Sequence, residues 1–131
     1  MPETTSEAIT NNVRVDVESR YTAEHSKPFQ GQWRFLYTVT ITNEGDEKIQ
    51  LLSRHWIITD ADGNTEEVKG GGVVGEYPVL WPGESFRYTS WAELKTARGV
   101  MRGTYQVVGQ KGDHFDVEIA PFALHEPYTV H

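Results

Sequence analysis

Apolar and polar residues alternate along several short stretches of the chain, which is the pattern of half-buried β-strands. The alternation is clearest over residues 33–42, where aromatic and β-branched residues occupy every second position and suit a pleated surface. Shorter alternating segments predict strands at residues 13–17, 86–90, 104–108 and 114–119. The predicted core consists of Val15, Val17, Phe35, Tyr37, Val39, Ile41, Trp56, Ile58, Tyr105, Val107, Phe115, Val117 and Ile119.

Residues 49–60 form a more continuously apolar segment, which predicts a central strand. Turn residues follow at 60–63 and a short strand at 64–68, so residues 55–68 are predicted to form a hairpin. No helical periodicity persists for three turns, and residues 96–99 are expected to be a turn or a short helical segment. Short strands separated by Gly and Pro turns predict an all-β fold, an antiparallel β-sandwich, with a small barrel as the alternative.

The length of 131 residues allows one domain with one core. Residues 1–12 are mostly Thr, Ser, Glu and Asn, so we expect a flexible tail there, followed by a single domain over residues 13–131. Residues 18–32 are predicted to be a long loop. Two prolines make residues 121–131 extended or irregular in this prediction.

Composition narrows the function classes. The formal net charge of −7 argues against a nucleic-acid binder, because such proteins neutralise phosphates with Lys and Arg. There is no cysteine, which excludes disulfides and thiolate chemistry. No apolar run is long enough to span a bilayer, so no membrane insertion is expected. The polar N-terminus carries no secretory signal, so we expect a cytoplasmic protein.

A glycine-rich loop over residues 68–90 is the most distinctive segment. It combines glycines and prolines with Tyr77, Trp81, Phe86 and Tyr88. Large apolar side chains offset the entropy that is lost when a loop becomes ordered. We therefore predict an ordered loop whose backbone depends on glycine.

Gly70, Gly71, Gly72 and Gly75 match the G-x-G-x-x-G pattern of dinucleotide-binding proteins. That pattern binds pyrophosphate at the start of a helix that follows a strand. Pro78 follows Gly75 too closely for such a helix. A weaker alternative is that consecutive glycine amides bind an anion, although neighbouring glutamates oppose a phosphate.

No catalytic residue, metal ligand set or cofactor is predicted. The five histidines have no spacing that defines a metal site. Ser53 and His55 share one face of a strand, but neither has an orienting acid in the sequence pattern. We therefore do not expect an enzyme.

Residues 52–63, 68–76, 82–90, 99–105 and 121–124 together resemble the ApaG family, in the same order along the chain. The resemblance covers residues 13–131 and implies a β-sandwich of the fibronectin type III or immunoglobulin-like kind. It also implies a link to cobalt resistance and magnesium efflux in bacteria, and protein binding by similar domains in eukaryotes. Tyr77, Trp91 and Ala97 depart from the usual family pattern.

Two function hypotheses follow. The first is a protein-binding module whose partner contacts an aromatic rim around the glycine-rich loop, formed by Tyr77, Trp81 and Trp91. The second is a sensor of a nucleotide or divalent cation at the loop. Residues 60–67 are acidic and residues 87–111 are basic, a segregation that could orient a partner or a second copy in a homodimer. Alternatively, Trp81 has a structural role and closes the open end of the sandwich.

Overall fold

Nine β-strands make up most of residues 4–127, the part of the chain that this computed structural model describes. They are β1 (Thr4–Thr10), β2 (Val13–Tyr21), β3 (Trp33–Asn43), β4 (Ile49–Asp60), β5 (Thr65–Gly71), β6 (Val79–Leu80), β7 (Ser85–Leu94), β8 (Arg98–Gly109) and β9 (His114–His125). Two short 3-10 turns, Ala23–His25 and Pro28–Gln30, lie in the loop before β3. The described residues contain no α-helix.

The strands form two antiparallel sheets that pack face to face. The first sheet has the order β1-β2-β3-β7, and the second has the order β5-β4-β8-β9, with β6 beside the start of β4. This arrangement confirms the predicted all-β antiparallel sandwich. It also confirms the hairpin, since β4 and β5 pair from Thr59 and Thr65 to Ser53 and Gly71.

The core lies between the sheets and follows the predicted alternation. All the predicted core residues are buried except Ile58 and Phe115, which are partly buried and pack against the others. Trp56 is central, because its ring packs edge-on against Tyr37, Tyr105 and Phe122 at centroid distances of 5.2, 6.3 and 6.0 Å. Such aromatic pairs stabilise a core beyond their buried area.

Two segments are more regular than the sequence predicts. β8 begins at Arg98, inside the segment expected to be a turn or short helix, and β9 continues to His125. Pro121 is tolerated in β9 because β9 is an edge strand and its pairing with β8 shifts register between Met101 and Gly103. Residues 121–125 are therefore extended, which was one of the two predicted possibilities, and residues 128–131 lie outside the described part.

The expected flexible tail is also corrected, since residues 4–10 form β1 and pair along their whole length with β2. The hydroxyl group of Thr4 donates to the carbonyl oxygen of Ala123, and that of Ser6 donates to Ala120 at 2.9 Å. These bonds attach β1 to the edge of β9 in the other sheet. Backbone pairing with β2 and these hydroxyl groups, rather than buried apolar side chains, hold this strand. The hydrophobic pattern therefore did not predict it.

Candidate functional site

Of the predicted loop over residues 68–90, residues 72–78 form a tight turn between β5 and β6, and much of the remainder belongs to β5, β6 and β7. Gly70 and Gly71 end the strand, and the amides of Val73 and Glu76 bond each other's carbonyl oxygens at 2.7 and 3.0 Å. Gly72 and Gly75 have φ angles of 63° and 81°, in the left-handed region that glycine favours. The chain then returns as β6, so a strand rather than a helix follows the G-x-G-x-x-G pattern.

Val73 anchors this turn to the core. Its side chain has no exposed surface, whereas the next two residues, Val74 and Gly75, are exposed. A Cβ atom on Gly72 would lie 2.4 Å from the carbonyl oxygen of Glu76. Glycine is therefore required at position 72 by sterics as well as by φ.

The polar groups of the loop are largely used within the protein. The guanidinium of Arg54 donates to the carbonyl oxygens of Gly71 and Gly72 at 3.2 and 3.1 Å. The amide of Gly72 donates to the carbonyl oxygen of Leu52 at 2.7 Å, and that of Val73 is used inside the turn. An anion-binding nest needs consecutive amides that point outward, and these two neighbouring amides do not.

Tyr77 and Trp81 lie exposed on the segment that follows the turn. Their side chains are 56% and 54% exposed. Val74, before Tyr77, and Val79, between Tyr77 and Trp81, are exposed too. The hydroxyl oxygen of Tyr77 lies 2.9 Å from where a Cβ on Gly71 would be, so the tyrosine lies over the glycine backbone. Lys48 places its Nζ atom 5.1 Å from the ring centroid of Trp81. The alternative role for Trp81 was to close the open end of the sandwich, and a half-exposed side chain does not fit that role.

A buried asparagine holds this segment in place. Asn43 is 1% exposed, and its side-chain amide donates to the carbonyl oxygens of Glu47 and Leu80 at 2.8 and 3.0 Å. Its backbone also bonds Gly83 and Glu84 in the turn after Trp81. The sequence pattern did not indicate this role for Asn43, because the role depends on contacts between the two sheets.

Trp91 does not join the other two aromatic residues. It lies on β7, six residues beyond Ser85 and therefore about 20 Å along the strand from the turn that carries Trp81. Its ring packs edge-on against His25 at 5.0 Å and faces a groove of about 610 Å³ between β5 and β7. The predicted rim is thus divided between opposite ends of the sandwich.

Ser53 and His55 do not form a catalytic pair. The hydroxyl of Ser53 bonds the side chain of Gln106 at 2.7 Å, while Nε2 of His55 lies 2.7 Å from a carboxylate oxygen of Glu67. Glu67 is the acidic partner that the sequence pattern did not supply, because it comes from the neighbouring strand β5. Among residues 4–127, no group of three or more His, Cys, Asp or Glu side chains could hold a metal ion.

The fold and the segment with Tyr77 and Trp81 define a class of protein. It is a two-sheet antiparallel β-sandwich with an exposed aromatic segment beside a glycine turn. The model of the ApaG domain matches residues 23–109, and the chain belongs to the ApaG family. Protein ApaG of Ralstonia nicotianae is 52% identical over 117 residues, covering 89% of this chain and 94% of the relative. Protein ApaG of Pseudomonas aeruginosa is 51% identical, covering 92% of this chain and 96% of the relative.

Solved structures agree with this assignment. The crystal structure of a Bordetella pertussis protein called ApaA matches with a TM-score of 0.87 and 52% identity, covering 89% of this chain and 95% of that one. The C-terminal domain of Wzt matches with a TM-score of 0.56 at 9% identity, covering 96% and 80% of the two chains, which is a likeness of fold alone. In the part of the chain that the structure describes, no helix could cross a membrane.

Proposed function

We propose that this chain is a non-enzymatic cytoplasmic module that binds another protein through the loop face, which we define as Val74, Tyr77, Val79 and Trp81. The observation that supports the proposal is the exposure of these four apolar side chains within eight residues of sequence, each between 44% and 56%. Contiguous exposed apolar surface commonly marks an interaction site. Aromatic residues are frequent anchors of such sites, because they bury large areas with few rotatable bonds.

The loop face is also held in its shape before any partner binds. Val73 anchors one side of it in the core, and Asn43 fixes the turn that follows Trp81. The carboxylate of Glu84 accepts a further bond from the amide of Trp81 at 2.8 Å. Such pre-organisation reduces the entropy that is lost when a partner binds.

The resemblance that links bacterial relatives to cobalt resistance and magnesium efflux is compatible with this role. A module that regulates efflux through a partner protein needs no ion of its own. The alternative, a nucleotide or cation sensor at Gly70, Gly71, Gly72 and Gly75, has less support, because the Gly72 and Val73 amides already donate to backbone carbonyls. A Gly72→Asp change is a poor test of that alternative, because any side chain at this position distorts the turn.

The experiment compares partner capture by tagged wild-type protein with capture by a Tyr77→Ala, Trp81→Ala double variant. Extract from the native cell is used, and bound proteins are quantified by mass spectrometry. We expect a tenfold or greater loss of at least one partner. Since both side chains are about half exposed, the free energy of unfolding should change by less than about 1 kcal/mol for each substitution.

Trp91→Ala is the matched control. Trp91 is 50% exposed, similar to Trp81, but it lies at the other end of the sandwich, so capture should be retained. Equal capture by wild type and the double variant would refute the loop face as the binding surface. Loss that appears only with Trp91→Ala would move the interface to the groove between β5 and β7. An untagged copy of the chain, separated from the tagged protein by size, would indicate self-association.

A further inference from the structure

The outer face of the second sheet carries a pocket that the proposed function does not use. Arg98, Val100 and Arg102 alternate along β8, so their side chains stand on the same face. Val100 pairs with Thr59 on β4 and with Ala123 on β9. These residues form the floor of a pocket of about 570 Å³, a size typical of small-molecule sites.

The two arginines give this pocket its charge. Both are exposed, and neither forms an ion pair with any other residue in the range 4–127. Their Cα atoms are about 13 Å apart, with Val100 midway between them. Both arginines line the pocket together with Val100.

One acidic residue, Asp60, also lines the pocket and keeps its negative charge, and the neighbouring turn holds its carboxylate in place. The carboxylate of Asp60 accepts hydrogen bonds from the amides of Asp62 and Asn64, both at 2.9 Å, and from the side chain of Asn64. Nδ1 of His125, on the opposite rim, lies 3.0 Å from the carbonyl oxygen of Glu126. Of the charged groups that line the pocket, the two guanidiniums are the ones that attract an anion, and the apolar floor lies beside them.

We propose that this pocket binds a small organic anion, a carboxylate or phosphate ester with an apolar body. The anionic group lies between Arg98 and Arg102, since guanidinium groups bind carboxylate and phosphate through paired hydrogen bonds. The apolar body covers Val100, which is 42% exposed, together with Ala123. The site is separate from the glycine-rich loop and independent of the loop face.

The test is a titration of ¹⁵N-labelled full-length protein followed by NMR, with phenyl phosphate, inorganic phosphate and phenol as separate probes. Phenyl phosphate should shift the amide signals of Val100 and Ala123 and saturate. Inorganic phosphate and phenol should each bind at least tenfold more weakly, because each lacks one half of the recognised chemistry. Binding should also weaken as salt is added, since the guanidinium groups are exposed to solvent.

Arg98→Gln and Arg102→Gln should each weaken phenyl phosphate binding at least fivefold. The control is Arg20→Gln, which removes the same charge from another exposed arginine without an ion pair among residues 4–127. Because all three positions are exposed, we expect each variant to fold, and dispersed spectra will verify this. Equal binding by wild type and the arginine variants would overturn the proposal. So would shifts spread over the whole protein, or equal affinity for inorganic phosphate.

Discussion

The hydroxyl groups of Tyr88 and Tyr105 form a hydrogen bond with each other inside the sandwich. Tyr88 lies on β7 of the first sheet and Tyr105 on β8 of the second, so this bond joins the two sheets through the core. Both residues are buried, at 8% and 0% exposure. Burial raises the pKa of Tyr88 and that of Tyr105 well above the ordinary value of tyrosine, because the low-dielectric core disfavours a phenolate.

We expect the protein to lose stability above about pH 10, where tyrosine ionises in the unfolded chain. In the folded state the raised pKa keeps both hydroxyls protonated, so the unfolded state binds fewer protons there and stability falls as pH rises. Each tyrosine should contribute a slope of about 1.4 kcal/mol per pH unit until its folded pKa is reached. Burial also raises the pKa of Tyr37, which adds to the effect. Urea unfolding between pH 8 and 11 measures the slope.

The variants of this pair separate the hydrogen bond from the ionisation. Tyr88→Phe leaves the hydroxyl of Tyr105 buried without its partner and should cost about 1–3 kcal/mol at neutral pH. Replacing both tyrosines by Phe removes both polar groups and should cost less than that single change. The double variant should also lose most of the alkaline slope. An unchanged slope in the double variant would show that other groups control alkaline unfolding.

Trp56→Ala should destabilise the protein by about 3–5 kcal/mol, because it removes the largest aromatic side chain from contact with Tyr37, Tyr105 and Phe122. Trp56→Phe should cost less than half as much. It keeps a ring in the core and removes a buried indole N–H that has no hydrogen-bond partner among the described residues. Chemical denaturation of both variants tests this order, and the reverse order would contradict the packing described here.

Hydrophobic periodicity predicted the sandwich well, because buried strands such as β3 alternate with period two and their apolar side chains face one core. It failed where other forces act. Ser6 and Thr4 attach β1 through hydroxyl groups, which carry no hydrophobic signal. The candidate site was predicted in part, since the exposure of Tyr77 and Trp81 follows from a loop position. The position of Trp91 at the other end of the sandwich could not be predicted, because it depends on where β7 begins and ends.

The assignment of β1 as a strand can be checked by hydrogen exchange. Amides of residues 4–10 that bond to β2 should exchange far more slowly than those of an unstructured peptide, because an amide in a ladder exchanges only when the ladder opens. A flexible tail, as expected from the sequence, would show no protection from exchange, and that result would contradict the strand. Native-state exchange followed by NMR resolves the residues individually.

Gly72→Ala should destabilise the protein more than Gly75→Ala does. Both glycines have positive φ angles, so both substitutions introduce backbone strain. A Cβ on Gly72 would in addition meet the carbonyl oxygen of Glu76 at 2.4 Å, whereas a Cβ on Gly75 would meet no atom within 4 Å. Thermal unfolding of the two variants measures the difference. Equal losses would mean that the turn adjusts to the added atom.

Asn43→Ala should reduce both stability and partner capture, although Asn43 is buried and cannot touch a partner. The change removes the donor that bonds the carbonyl oxygens of Glu47 and Leu80, and the acceptor for the amide of Gly45. Buried polar groups left without partners cost about 1–3 kcal/mol in measured cases. The turn after Trp81 then loses part of its support, so the loop face becomes less ordered and binds more weakly.

Asn64→Ala, at an exposed turn asparagine, is the control and should leave capture unchanged. Full capture by a destabilised Asn43→Ala variant would show that the partner does not depend on the order of the loop face.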